Sequence, residues 1–431
     1  MVDKTKVNPR VWSILTCAWI AIAASQVITF GYGMMMPRIM EEFGLDTAAM
    51  GKIAGIASWC QVASLIPLSL LLAKTNPKFS LPLVMLVIAA GQFIFGRASG
   101  LPMMYLGRIT FAFFAQSIAT LLVGVKLRGV PPEHITQVNG IENFVQPIGQ
   151  TIATLVMAQL LVILGGWRGV YTAVAITIVA ALVTFFLLWG NGKHVSYGQP
   201  EEVPDAKKET QKSSIFHALK EAWSNRVVWL TGLAWPGTTI VWIAMFYYWP
   251  TYATRNLGLQ LSQVGVVLSM IPVFSAIASL TSPRLAKKIG YDKPLICIWG
   301  FLLPVFYYLM TVLTNIPLLC LCSALAGYGA YCFVPLAFTN VYKIGLSKPA
   351  ITIATGTILT LVSVGIAIAG TVIGALTKTL GLQKAISVAC FTPLWFGVLT
   401  LFLPELGFKK MQELKRLAEE KKAAAAQASA G

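Results

Sequence analysis

Few residues in this chain are placed to do chemistry, and the densest group is the stretch "NGIENFVQPIGQTIATL" at 139–155. It reads as one end of an apolar helix, yet it carries Asn139, Glu142, Asn143, Gln146 and Gln150. On a helix of 3.6 residues per turn these five fall within an arc of about 100°, so they form one polar stripe. Pro147 sits within the stripe and predicts a bend there. Such a stripe is costly against lipid and useful beside a water-filled path. Gln146 and Gln150 are therefore expected to line such a path, with hydrogen bonding between helices as the competing role. Glu142 is the one acid inside any long apolar segment, about one turn from its end. It is expected to serve as a gate or helix-end group, or alternatively to carry a proton.

The second candidate is Arg108, in "GRITFAFFAQ" at 107–116. No acid shares its segment, and it stands about 10 Å deep at 1.5 Å per residue. It should meet a mobile anion, backbone carbonyls or water. Gln116 follows two turns further along. Thr29 and Tyr32 share a face with Ser25 and Met36. Trp235, Thr239, Trp242 and Phe246 recur at helical spacing, with Pro236-Gly237 able to break the helix, and Tyr331 shares a face with Tyr328 and Pro335. Packing is the competing role for each aromatic. Tyr247, Tyr248 and Trp249 read as residues of the membrane-interface belt. Other chemistry is missing. The seven cysteines form no CxxC pair, the three histidines stand apart from them, and there is no phosphate-cradling glycine loop or nucleophile arrangement. An enzyme, a metal site and a cofactor are not expected.

The elements that must position these groups follow from composition. The chain has 431 residues, of which 56% are hydrophobic and 11% charged, against about 25% charged in an ordinary soluble domain. Twelve apolar segments are long enough to cross a hydrocarbon layer of about 30 Å as helices. They run approximately over 12–36, 48–73, 80–98, 101–126, 138–164, 168–190, 227–253, 263–286, 294–314, 316–342, 350–378 and 384–404. With the N-terminus inside, 25 of the 33 Lys and Arg fall on the inner side, so both termini are expected in the cytoplasm. The net charge of +17 reports this topology rather than a nucleic-acid partner.

The chain also repeats itself. "GLDTAAMG" at 44–51 matches "GLQLSQVG" at 258–265 through Gly44, Leu45 and Gly51 against Gly258, Leu259 and Gly265. Pro37 matches Pro250, and Leu72-Ala73-Lys74 matches Leu285-Ala286-Lys287. A duplicated six-helix unit follows, with halves at 1–190 and 227–404, a charged cytoplasmic linker at 191–226 and a cytoplasmic tail at 405–431. Two six-helix halves with both ends inside resemble the major facilitator superfamily. "GGWRGVY" at 165–171 resembles that family's opening of its sixth span, and "GRITFAFFAQ" its fourth-span arginine motif. "LRGVPPEHITQVNG" resembles the loop entering its fifth span. The loop motif G-x-L-A-D-R-x-G-R-K is matched by Leu285, Ala286, Lys288 and Gly290, but Lys74 and Lys287 stand where it has aspartate.

The resemblance implies an all-α membrane protein of twelve transmembrane helices, a multi-pass secondary transporter of the cytoplasmic membrane working by alternating access. Arginine, amides and hydroxyls without acids suit an anion, because those groups donate to it. The expected substrate is a small organic anion such as a carboxylate, moved by symport with a proton or antiport against another anion by a monomer in the bilayer. Proton-coupled efflux of amphipathic compounds, transport of a neutral solute and a non-transporting receptor are the alternatives.

Overall fold

The computed structural model describes residues 9–73, 75–115, 117–118, 121–122, 125–126, 130, 132–189, 216–407 and 409. The described residues form helices and no strand, because lipid offers a spanning backbone no partner outside its own helix. Span 1 is Pro9–Phe43, span 2 Thr47–Ala73 and span 3 Pro77–Gly96. Span 4 is continuous over Leu101–Ala115, and span 6 is Trp167–Trp189. Span 8 is Leu261–Ile289 and span 9 Lys293–Val312. Among the described residues nine helices are long and apolar enough to cross a membrane, and a tenth is made by a bent pair. With span 2 and the shorter apolar helix Leu101–Ala115, the described residues are consistent with the expected twelve.

Several spans are interrupted. Span 7 runs as Arg226–Ala234, Pro236–Tyr247 and Trp249–Arg255, breaking at Trp235 beside the expected Pro236-Gly237 pair. Proline there lacks the donor that would continue the ladder. Around the break the carbonyl of Leu233 accepts from Trp395 Nε1 at 2.8 Å, and that of Gly237 from the Thr392 hydroxyl at 2.7 Å. Span 10 runs as Ile316–Cys332 and Val334–Lys343. Span 11 is Lys348–Ile368, a π-helical turn at Ala369–Ile373, and Gly374–Leu380. Span 12 is Leu382–Cys390 and Pro393–Thr400.

In span 5 the helix Pro132–Leu155 is unbroken through Pro147, and a sharp break follows it. Phe144–Leu155 and Met157–Ile163 meet at 63° across Val156, whose φ of −108° and ψ of 2° leave the helical region. One proline removes one ladder bond, which a packed helix absorbs. At Val156 the helix turns where it meets span 8, whose Gly265 leaves no room for a Cβ against the Thr154 carbonyl.

The bundle has two end faces. The terminal face carries residues near 9, 76, 292 and 405, and the distal face carries those near 45, 98, 165, 257, 314 and 381. The repeat is visible in three dimensions. Gly44 and Gly258, the paired glycines after spans 1 and 7, both take left-handed dihedrals, with φ of 62° and 68°, where glycine alone carries no Cβ penalty.

On the terminal face of the second half, Asp292 joins a small polar network. Lys343 Nζ donates to its carboxylate at 2.6 Å and to the Leu406 carbonyl at 2.9 Å. Glu405 accepts from the backbone N–H groups of Asp292 and Lys293. Spans 8–9, 10 and 12 are thereby tied together.

Candidate functional site

Arg108 is 3% exposed. Its guanidinium lies over the ring of Tyr32 at 4.2 Å and that of Phe95 at 5.3 Å, so spans 1, 3 and 4 converge on it. Spans 3 and 4 approach closely because Gly91 and Gly107 interlock, each where a Cβ would strike the other helix's backbone. Tyr171 of span 6 stacks on Phe95 with centroids 4.5 Å apart. Among the described residues Arg108 makes no ion pair, and its Nε has no hydrogen-bond partner. The cation is held by aromatic faces, a contact worth about 0.5–2 kcal/mol, and its Nε–H remains available. Tyr32 donates its own hydroxyl to the Met50 carbonyl at 3.0 Å.

The polar stripe of span 5 divides. Glu142 accepts from Lys126 Nζ at 2.9 Å and from Trp19 Nε1 at 3.3 Å. The side chains of Lys126 and Glu142 are 8% and 18% exposed. Their span-4 to span-5 pair, closed by span 1, lies toward the terminal face. Gln146 is exposed, and Gln150 one turn on is buried. The side chains of Asn139 and Asn143, and all of Gln116, lie outside the described residues.

The remaining candidates separate by surroundings. The hydroxyls of Thr29 and Thr239 donate to the carbonyls of Ser25 and Trp235, four residues back on their own helices. Trp242 packs at 5.0 Å from Tyr331 and 5.3 Å from Phe246, and Phe246 reaches across to Phe30 at 4.9 Å. Trp235 leaves that row, because the helix breaks beside it. It packs instead on Phe333 and Phe338, at 5.2 and 5.4 Å.

Tyr247, Tyr248 and Trp249 are not belt residues. All three are buried. Tyr247 packs on Tyr32 at 5.6 Å, Tyr248 donates to the Gly370 carbonyl at 2.7 Å, and Trp249 Nε1 donates to that of Met310 at 2.8 Å. An aromatic run near a span end suits either an interface or a packed seam, and here the seam takes it.

That seam closes the halves against each other above Arg108. Gly33 packs on the backbone of Phe246 and Tyr247, and Gly51 and Gly55 pack on Gly370, Thr371 and Gly374. A Cβ on Gly51 would lie 2.8 Å from both the Gly370 carbonyl oxygen and the Gly374 Cα. Asp46 and Lys378 form an exposed ion pair of 3.5 Å across the same seam. Sequence reasoning missed Lys126, Phe95 and Tyr171 as partners. Lys126 counted as a loop anchor, and Tyr171 was visible only as the last letter of "GGWRGVY". Among the described residues no group of three or more metal-ligating side chains forms.

Comparison with known proteins adds the following. The family described as the Major Facilitator Superfamily matches residues 18–344. The nitrate/nitrite transporter NrtP of Picosynechococcus sp. (strain ATCC 27264 / PCC 7002 / PR-6) is 27% identical over 136 residues. That match spans 30% of this chain and 24% of the relative's length. The fold is similar to a bacterial homolog of the human lysosomal transporter Spinster in an inward-facing, unoccupied conformation. The TM-score is 0.74 at 15% identity, covering 92% of this chain and 95% of that one. It is also similar to a point mutant of the nucleoside transporter NupG, with a TM-score of 0.71 at 13% identity over 91% of this chain and 99% of that one.

Proposed function

The chain belongs to the Major Facilitator Superfamily, and we propose that it is a secondary transporter of a small organic anion, working by alternating access across the cytoplasmic membrane. In this reading the terminal face is cytoplasmic, in keeping with the Lys/Arg bias, and the distal seam is the closed outer gate of an inward-facing state. The observation that carries the anion is Arg108, a buried cation with no ion-pair partner among the described residues. A buried charge without a counter-ion is costly, and a substrate carboxylate would supply one during each cycle. The partial likeness to a nitrate/nitrite transporter supports the sign of the ligand. Tyr32 walls the site, with Tyr247 as its outer cover, while Gln146, Gln150, Trp242 and Tyr331 belong to the path below. Glu142 serves the inner mouth as a structural charge paired with Lys126, which leaves the coupling proton or the exchanged anion to other groups.

The test is uptake of carboxylates into proteoliposomes, with and without an imposed pH gradient. Small carboxylates should compete for uptake and lipophilic cations should not. Arg108→Gln should abolish uptake while the protein still folds, because it removes the charge. Arg108→Lys should impair it severely, because lysine cannot present a planar fork. Inhibition by lipophilic cations alone would overturn the anion reading in favour of efflux of amphipathic cations. Misfolding of both variants would make Arg108 a structural residue.

A further inference from the structure

Three buried donors on the neighbouring spans 3, 4 and 6 have no hydrogen-bond partner among the described residues: Gln92 Nε2, Arg108 Nε and the Tyr171 hydroxyl. All three side chains are more than nine-tenths buried. Their placement is connected. Phe95 joins Arg108 and Tyr171, since the guanidinium lies over its ring and Tyr171 stacks on it. Gly96 leaves room for Tyr171, whose Cβ would lie 2.8 Å from a Cβ added there, and Gln92 stands one turn before Phe95 and Gly96 on span 3. Tyr32 does not join the set, because its hydroxyl donates to Met50. Buried donors normally find acceptors, so three unmatched ones in one cluster require an explanation.

We infer that Tyr171 and Gln92 complete the anion site begun by Arg108, and that together they select a small planar oxoanion head over a halide. The inference rests on the reading of Arg108 as the anion-binding cation. A guanidinium held by aromatic faces offers its N–H groups in its own plane. A planar head with two or three oxygens can accept there and still present an oxygen to a phenol and an amide. A carboxylate and a trigonal inorganic oxoanion such as nitrate share this shape. A halide offers one spherical centre and cannot match three separated, directional donors. Neither tyrosine nor glutamine adds charge, so their contribution is to discrimination among anions.

The experiment uses the full chain in proteoliposomes, with acetate, formate, nitrate and chloride as competitors of uptake. In the wild type the three oxoanions should compete and chloride should not, and the ranking of acetate and formate against nitrate identifies which oxoanion source the site favours. Tyr171→Phe and Gln92→Leu should each weaken the oxoanions about tenfold, the usual loss for one hydrogen bond to a charged group, and should narrow the preference over chloride. Tyr171→Phe keeps the stack on Phe95 and removes an unmatched hydroxyl. Its melting temperature without anion should therefore equal or exceed that of the wild type. If Arg108→Gln abolishes competition while both variants bind oxoanions like the wild type, this inference fails and the Arg108 reading stands. A lowered melting temperature for Tyr171→Phe would also overturn it, by giving the hydroxyl a structural partner. If no anion competes in the wild type, the Arg108 reading itself fails.

Discussion

The contacts between the two halves differ in kind from those within each half. Between halves, glycine meets backbone: Gly51 and Gly55 on Gly370 and Gly374, Gly265 on Thr154, Gly33 on Phe246 and Tyr247. The ion pair across the seam, Asp46–Lys378, is exposed and 3.5 Å long. Within halves, the ion pairs are shorter: Lys126–Glu142 at 2.9 Å and Lys343–Asp292 at 2.6 Å, both largely buried, and the exposed Arg168–Glu42 at 2.7 Å. The difference matches what each joint must do. Close packing of small residues is made of many weak contacts, which can be exchanged for others when the helices part. A separated buried ion pair leaves uncompensated charge. Charge is thus concentrated where the helices must stay together.

The comparison breaks most severely if a within-half pair is cut. Glu142→Gln removes the carboxylate to which Lys126 and Trp19 both donate and should destabilise the protein by about 3–5 kcal/mol. The double variant Lys126→Met with Glu142→Gln should recover most of that loss in a thermal-unfolding assay. If the single variant is as stable as the wild type, the pair is not holding spans 4 and 5. If it folds and alone loses pH-driven accumulation while keeping exchange, Glu142 carries the proton after all.

A smaller effect is expected at the seam. Gly51→Ala or Gly265→Ala should leave each half intact and wedge the distal face open. Overpacking costs about 1–3 kcal/mol, so the equilibrium should shift about 5- to 150-fold toward the distally open state. A single cysteine at Thr47 in a cysteine-less background would read this as faster labelling. Unchanged labelling in both variants would mean that the glycines do not set the gate.

The smallest effect belongs to Asp46→Asn. An exposed pair contributes about 0.2–1 kcal/mol and less in high salt, so Thr47-site labelling should rise by a few-fold at most. The Ala49 N–H, ahead of Lys378, holds the Asp46 carboxyl below the ordinary aspartate range. A depressed carboxyl contributes above its unfolded pKa, and the contribution is lost as pH falls through the folded one. The effect should therefore be constant near neutrality and vanish only in acid below the usual aspartate range. A change between pH 6 and 8 would assign it to another group.

Much of this organisation was legible in the sequence, for identifiable reasons. The glycines at 44 and 258, and at 51 and 265, repeat because each half needs the same turn and the same close approach. Pro236 marks its break because a missing donor acts locally. Arg108 stood out because its segment held no acid. What stayed hidden depends on facing and distance. Hydropathy places Tyr247, Tyr248 and Trp249 near a span end without saying whether they turn outward or into the seam. The stripe from Asn139 to Gln150 was drawn on one ideal helix, which does not say that Gln146 is exposed while Gln150 is buried. Lys126 is 16 residues from Glu142, beyond the reach of any periodicity on one helix.

The π-helical turn at Ala369–Ile373 places one extra residue in span 11. Rewinding the same residues as a plain α-helix would rotate everything beyond the turn by about 100°. Gly374 would swing away from Gly51, and Lys378 from Asp46. The outer gate is therefore constrained in length as well as in residue type. Along this span a substitution that keeps small side chains is tolerable, whereas a one-codon deletion outside the π-turn changes which groups meet.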